Sequence, residues 1–433
     1  MKPILLEPTD VLFFRDGRPM GGSLSGHGAA WPLPHVISHA FHAALHRAEL
    51  EGVHSHRRGR SGKYEEARDR KFGSLVTAGP FPVCTNGASH TWFFPRPLDA
   101  NENGVILRPL LDKGTASSLP EPLLYSTASL SPPDKSDVPS WWSEGAWNSY
   151  LGSPQRDDLA GRAFHKSDAE FATAEHSYGI GLSQDTGSVE EGKFYSASYL
   201  RLKSGWKIGV AATAPDKDFL DSAGGCDLVS TLINEEGGNI LVGGQQRVCS
   251  VKRDHTVDER LPLPLGINGG FSEHEGKYLL KWALLTPAIF PKINEHKGGW
   301  LPSWVEQLSG DVMLLDGPGA NAARRRRVAP GKRIKAKLVA AVTGKSIPVT
   351  GWALPNGTDR LEGGAKSTHM AVPAGAVYYF ECDDMDTARA LAIALNWHGD
   401  TAGREIHNRR STLMGEKGFG LGVCGTWNFT TVN

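Results

Sequence analysis

The sequence predicts an α+β fold built as two tandem halves, and three observations predict it. Short apolar runs alternate with stretches whose apolar residues recur every three or four positions, the periods of strands and helices. The order of these elements, β-α-β-β-α-β, occurs twice. Each time a glycine-rich stretch stands between the second helix and the last strand, at Gly237–Gly244 and again at Gly415–Gly425. With 433 residues the chain is long enough for two sizeable cores.

Taken in order, Ile4-Leu5-Leu6, closed by Glu7-Pro8-Thr9-Asp10, predicts the first strand. A helix is expected from Pro34, because Ile37, Phe41, Ala44, Leu45 and Ala48 share helical spacing. After a long irregular region, short strands are expected at Thr91–Phe94 and Val105–Leu110. Residues 112–165, rich in Ser, Pro, Asp and Trp, predict surface loops or an insertion. A hairpin is expected over Lys193–Thr213, turning at Lys203-Ser204-Gly205. A helix follows at Cys226–Asn234, stopped by Gly237-Gly238, and then a strand at Arg247–Val251. The second half repeats the order with a strand at Tyr278–Leu285 and a short helix at Pro302–Leu308. Strands at Ile334–Thr343, Ile347–Ala353 and Ala376–Glu381, a helix at Asp386–Trp397 and a last strand at Val423–Trp427 complete it. This is the ferredoxin-like (RRM-like) plan twice over, with long insertions, divided as residues 1–257 and 258–433.

Charge balances at 47 basic against 47 acidic residues, so no global field announces a polyanionic partner. Locally the balance breaks. Residues 54–71 hold seven Lys/Arg against three acids, and residues 323–337 hold eight against none, including Arg324 to Arg327. Such runs are either solvated loops or phosphate contacts. The five cysteines are scattered without a CxxC pair, which points to reduced thiols and a cytoplasmic setting rather than a disulfide frame or zinc knuckle. The first residues meet a charge too early for a signal peptide, and no apolar run approaches a membrane span, so no membrane partner is expected.

The segment Gly415-Glu416-Lys417-Gly418-Phe419-Gly420-Leu421-Gly422 runs from helix to loop to strand. Phosphate loops of Rossmann and P-loop enzymes run the other way, from strand to helix, so that reading is excluded. What remains is either a tight connection packed on the sheet or backbone N–H groups aimed at phosphates, with Lys417 as a nearby charge. Phe419 either stacks on a base or plugs the core, and the core is the favoured reading. His35, His39, His42 and His46 fall within about 60° of one another at helical pitch, opposite Ile37, Phe41 and Ala44. A solvated polar face, an RNA-touching surface, a metal site and a general base all remain open for them. No glutamate follows His35 as a zinc-protease helix requires, which weakens the metal reading. Phe13-Phe14-Arg15-Asp16-Gly17-Arg18 sits just beyond the first strand, where Arg15 and Arg18 are placed to grip phosphate, or Arg15 to pair with Asp16.

The opening Glu7-Pro8-Thr9-Asp10-Val11-Leu12-Phe13-Phe14-Arg15-Asp16-Gly17-Arg18-Pro19 resembles the signature of the RAMP superfamily, the repeat-associated RNA-binding proteins of CRISPR systems. In detail it is similar to the handle-binding subunits of type III-B (Cmr) effector complexes. Tyr178-Gly179-Ile180-Gly181, Glu190-Glu191-Gly192-Lys193-Phe194-Tyr195, Leu200-Arg201-Leu202, Leu241-Val242-Gly243-Gly244, Leu285-Thr286-Pro287-Ala288, Gly351-Trp352 and Val372-Pro373-Ala374-Gly375 agree in order, and the Gly-rich tail is the family hallmark. The four helix histidines depart from the small residues usual there, and residues 112–165 match no part of the family. The resemblance implies a subunit without catalytic residue, metal or cofactor. It implies binding of the 5′ handle of guide RNA (crRNA), beside the large polymerase-like subunit and the backbone RAMP subunits. It also implies that a hairpin near Gly187–Gly192 reaches target RNA near the handle. RNA contacts are expected from Arg15, Arg18, His39, Lys193, Arg201, Arg247, Arg325, Lys417, Gly418, Phe419 and Gly420. The competing expectation is a metal-independent endoribonuclease that processes guide RNA with a helix histidine.

Overall fold

Alternation along the first strand sets the architecture: Ile4 and Leu6 face one apolar cluster while Leu5 faces another. In the computed structural model the described residues are 1–15, 24–26, 31–48, 50, 75–100, 106–111, 118–128, 140–152, 165–215, 227–256, 260–315, 333–353 and 364–430. The first half contains β1 (Lys2–Pro8), α1 (Pro34–Arg47), β2 (Val76–Asn86), β3 (Ser89–Pro95), β4 (Trp141–Ser143) and α2 (Glu144–Gly152). It continues with β5 (Ala172–Leu182), β6 (Val189–Leu202), β7 (Trp206–Thr213), α3 (Leu228–Leu232), β8 (Gly238–Leu241) and β9 (Val248–Arg253). The second half holds β10 (Lys277–Leu284), β11 (Ala336–Val342), β12 (Val377–Cys382), α4 (Met385–Leu395) and β13 (Gly422–Thr426).

In the first sheet the order β9-β1-β7-β2 is antiparallel throughout, with β8 added beyond β9 and β3 and β4 beyond β2. In the second sheet the order is β13-β10-β12-β11, again antiparallel. Each sheet therefore places its last main strand beside its first, and its third beside its second. Helices cover one face of each sheet. Ile37, Phe41, Ala44 and Leu45 of α1 join Ile4, Leu6, Ile208 and Val210, and Ala388, Leu391, Ala392 and Leu395 of α4 join Leu280, Trp282 and Phe380. The uncovered faces meet each other. Leu5, Phe81 and Val83 of the first sheet share a core with Leu279, Tyr379 and Val423 of the second, and Trp147, Tyr150 and Leu151 of α2 belong to the same core. Each such large side chain contributes about 1.5–3 kcal/mol on burial, which makes this seam a principal stabilising layer.

Three sequence expectations change. Lys193–Thr213 is not a hairpin: β6 pairs with β5 in a separate three-stranded sheet, while β7 pairs with β1 and β2. Among the described residues no helix stands between β10 and β11; residues 302–308 form turns held by Val305 N to Pro302 O (2.9 Å) and a bridge from Val305 to Val312. Pro302 pre-sets only a first turn here. Within 112–165, the segment 141–152 is no surface loop, since Trp142, Trp147 and Tyr150 are fully buried.

Candidate nucleic-acid interface

The glycine-rich segment of the second half lies against α1 of the first. Met414 and Gly418 flank a 3-10 turn, Gly415–Lys417, and both take left-handed backbone angles. Gly418 is required there, because a Cβ would come within 2.8 Å of Thr77 O. The turn delivers Lys417 to the histidine face of α1, where its Nζ donates to His39 Nε2 at 3.0 Å. His35 stacks on Phe419 with ring centroids 6.0 Å apart, and His39 is 5.9 Å from His35 edge-on. His42 and His46 form a second pair at 4.6 Å. The histidine face opposite the core is thus a second packing face, with His39 its most exposed member. Loss of water around the rings, then the charge of Lys417, pushes His35 down to about 4 and His39 down to about 3; Lys366 adds to both. Both imidazoles are neutral at neutral pH, and Lys417 carries the charge.

The loop itself is turned inward. Lys417 N bonds Met414 O, Gly418 N bonds Gly415 O, Gly420 N bonds Pro287 O, and Leu421 N bonds Thr286 Oγ1. Gly418, Phe419 and Gly420 are buried, and Phe419 packs with Ile289, Val349 and Ala371. The Gly418 and Gly420 amides thus bond within the chain, and Phe419 plugs a core, the favoured of its two readings. These residues build the platform, and Lys417 and His39 form its surface.

A second cationic group gathers where β6, β9 and the segment after β1 meet. Arg201 bonds Glu175 across the hairpin and Asp10 at 3.0 Å, while Arg247 reaches the other Asp10 oxygen at 3.4 Å and sits 5.1 Å over the Tyr199 ring. The hydrogen bond from Arg201 holds the Glu175 carboxyl below its usual range. Arg15 is exposed at the end of the same segment. The β5–β6 hairpin projects from this base, its tip at 183–188 rather than further along, and it exposes Tyr178, Ile180 and Leu182 on one face. Arg18 and Arg325 lie outside the described residues, as does the side chain of Lys193 on β6. Lys417 and His39 are brought together from opposite ends of the chain, and Arg201 and Arg247 form the other group. Lys366 was missed by sequence reasoning, since a lone lysine in a polar stretch carries no pattern.

These features define an α+β protein of two facing antiparallel sheets, with a histidine–lysine surface built by a C-terminal glycine-rich loop on an N-terminal helix. The profile of the family described as "CRISPR-associated protein (Cas_Cmr3)" matches residues 4–427, and the chain belongs to that family. It is a Cmr-type CRISPR subunit. Among solved structures it is similar to a chain of the type III-B Cmr-β complex bound to cognate target RNA and AMPPnP. The two share 16% identity over 87% of this chain and 86% of that one, with a TM-score of 0.40. A chain of the Csm3–Csm4 subcomplex of a type III-A interference complex shares 8% identity over 87% and 92%, at a TM-score of 0.34. No curated protein matches the chain. Among the described residues no helix is long and apolar enough to cross a membrane, and no cluster of His, Cys, Asp or Glu is arranged to hold a metal ion.

Proposed function

We propose that the chain is the non-catalytic RNA-binding subunit of a type III-B effector ribonucleoprotein in the cytoplasm. It holds the 5′ handle of guide RNA beside the large polymerase-like subunit and the backbone RAMP subunits. We read its two sheets as ferredoxin-like units, residues 1–257 and 258–433, whose strand orders match that plan. Membership of the Cmr-type family supports the reading, and the carrying observation is the Lys417–His39 surface on a rigid glycine platform. The ammonium of Lys417 stands at this surface beside the exposed His39, a charge of the sign that a phosphate contact uses. The hairpin with exposed Tyr178 and Ile180 is read as the part that approaches target RNA near the handle.

An endoribonuclease reading is disfavoured by the same contact, since Lys417 occupies His39 Nε2, the nitrogen a general base would use. The purified protein, incubated with labelled repeat RNA without metal, is expected to retain intact RNA. Affinity falls steeply with salt and drops about tenfold in Lys417→Ala, the scale of one charge-assisted contact. Cleavage that disappears in His39→Ala or His42→Ala overturns the binding-only reading.

A further inference from the structure

The last four carbonyls of an α-helix have no partner inside it and must find one outside. At the end of α4 side chains from elsewhere take all four. Asn408 Nδ2 donates to Ile393 O and Asn396 O at 2.7 Å each, Trp282 Nε1 donates to Leu395 O at 3.1 Å, and Arg410 Nε donates to Ala394 O. Arg410 also donates to Asn408 Oδ1 at 3.0 Å, so the two capping side chains from the segment before the glycine-rich loop hold each other. We propose that Arg410 is a positioning residue for the Lys417–His39 surface, which it sets by tying the loop that carries Lys417 to the end of α4. The inference rests on the RNA-binding reading above.

The main chain of Arg410 completes the tie. Its N–H bonds Gly420 O at 2.8 Å, and its carbonyl accepts from Trp304 Nε1 at 3.4 Å. Gly420 N in turn bonds Pro287 O at 2.8 Å, so Gly420 is held through both its N–H and its carbonyl. The fit is close: a Cβ at Gly420 would overlap Ser411 N, and the residue has a φ of 77°. A shift of Arg410 therefore passes to Gly420 without slack. Beyond Gly420 the chain runs back through the left-handed Gly418 to Lys417, whose Nζ reaches His39. Arg410 itself is 8% exposed, so its guanidinium serves the helix end and not the surface. A cation at a helix C-terminus is favourable on its own account. Glycine would stop the helix as well and bury no charge. What the long guanidinium adds is reach: one side chain bonds the helix carbonyl and Asn408 while its own backbone holds the loop.

The test compares the full-length wild-type protein with Arg410→Ala, Asn408→Ala, Lys417→Ala and the double variant that joins Arg410→Ala to Lys417→Ala. Binding of labelled repeat RNA and the NMR titration of the His39 ring are read on each, with thermal unfolding to show that each is folded. Arg410→Ala is expected to weaken RNA binding by up to about tenfold, the size of the Lys417 contact it positions, and to move the His39 titration upward as loss of Lys417 does. Asn408→Ala moves both readouts in the same direction by less, and it decides the matter should Arg410→Ala fail to fold. In the Lys417→Ala background Arg410→Ala adds nothing, because its effect passes through Lys417. Additive losses overturn the inference, since a guanidinium that touches RNA directly, or a general loosening of the fold, would produce them. So does a His39 titration unchanged in both Arg410→Ala and Asn408→Ala. If the wild-type protein binds no RNA, the RNA-binding reading falls and the titration alone decides whether Arg410 sets the contact.

Discussion

His39 and Lys417 show how a single contact sets the chemistry of a surface. Partial loss of water makes protonation of His39 costly, and an ammonium 3.0 Å from Nε2 acts in the same direction. Both histidines on this turn have folded pKa values below the ordinary 6.5, about 4 for His35 and about 3 for His39. The unfolded chain therefore binds protons below pH 6.5 that the folded chain refuses. Stability contributed here is full above pH 6.5 and is lost as pH falls through the window down to about 3. The ring resonances of His39 are expected not to titrate above pH 5 by NMR, and Lys417→Met is expected to move the titration upward. A His39 that titrates normally in the wild-type protein removes the lysine contact from the argument.

The hairpin of β5 and β6 is anchored by Asp10, which joins Arg201 and Arg247 to the segment after β1. These side chains are partly exposed, so the ion pairs contribute little to stability. Asp10→Asn is accordingly expected to leave unfolding nearly unchanged while it removes the ion pair of Arg247 and one of the two carboxylates that hold Arg201. RNA affinity should rise, and its salt dependence should steepen by up to about one unit of slope per phosphate newly engaged. An unchanged slope would mean that the arginines only pin the hairpin. Elements of this kind were unevenly legible in sequence. Lys2–Pro8, Pro34–Arg47 and Met385–Leu395 carry clean periods and sit where the pattern put them. Val76–Asn86 is a central strand of the first sheet, but Gly79, Pro80 and Pro82 interrupt its apolar run and hid it. Trp142 and Trp147 read as loop because their Ser- and Pro-rich neighbours set the local composition, whereas a long-range seam decides their burial. At the site, Lys417 and His39 were legible as residue types in a distinctive pattern. Their contact spans the chain, and the Gly420 amide bonds Pro287 O far away in sequence, so neither shows in local sequence.

The seam between the sheets buries two ionisable groups that attract one another. Asp99, from the segment after β3, and Lys281, from β10, are both fully buried. Asp99 accepts from Tyr150 Oη at 2.8 Å and from Tyr379 Oη at 2.8 Å, and Lys281 Nζ lies 3.4 Å over the Tyr150 ring. Asp99 and Tyr150 belong to the first half, Lys281 and Tyr379 to the second, so the cluster is made only when the halves are joined. Burial drives the lysine down to about 8, against the attraction of Asp99, and raises the carboxyl of Asp99. Removing one partner of such a pair costs about 3–5 kcal/mol, because the other charge is left buried alone. Lys281→Met is therefore expected to lower the unfolding free energy by about that amount at neutral pH, and Lys281→Met with Asp99→Asn to recover most of it. The pH dependence has a definite sign. Between pH 8 and 10 the unfolded chain keeps the lysine proton that the folded chain gives up, so this group makes stability rise with pH. Above 10 the buried tyrosines, whose pKa values are raised, turn the slope downward. Denaturant unfolding across this range should show the rise in the wild-type protein as one cooperative transition, and its absence in Lys281→Met. Two separate transitions, or a rise that survives the substitution, would show that the seam does not couple the halves through this pair.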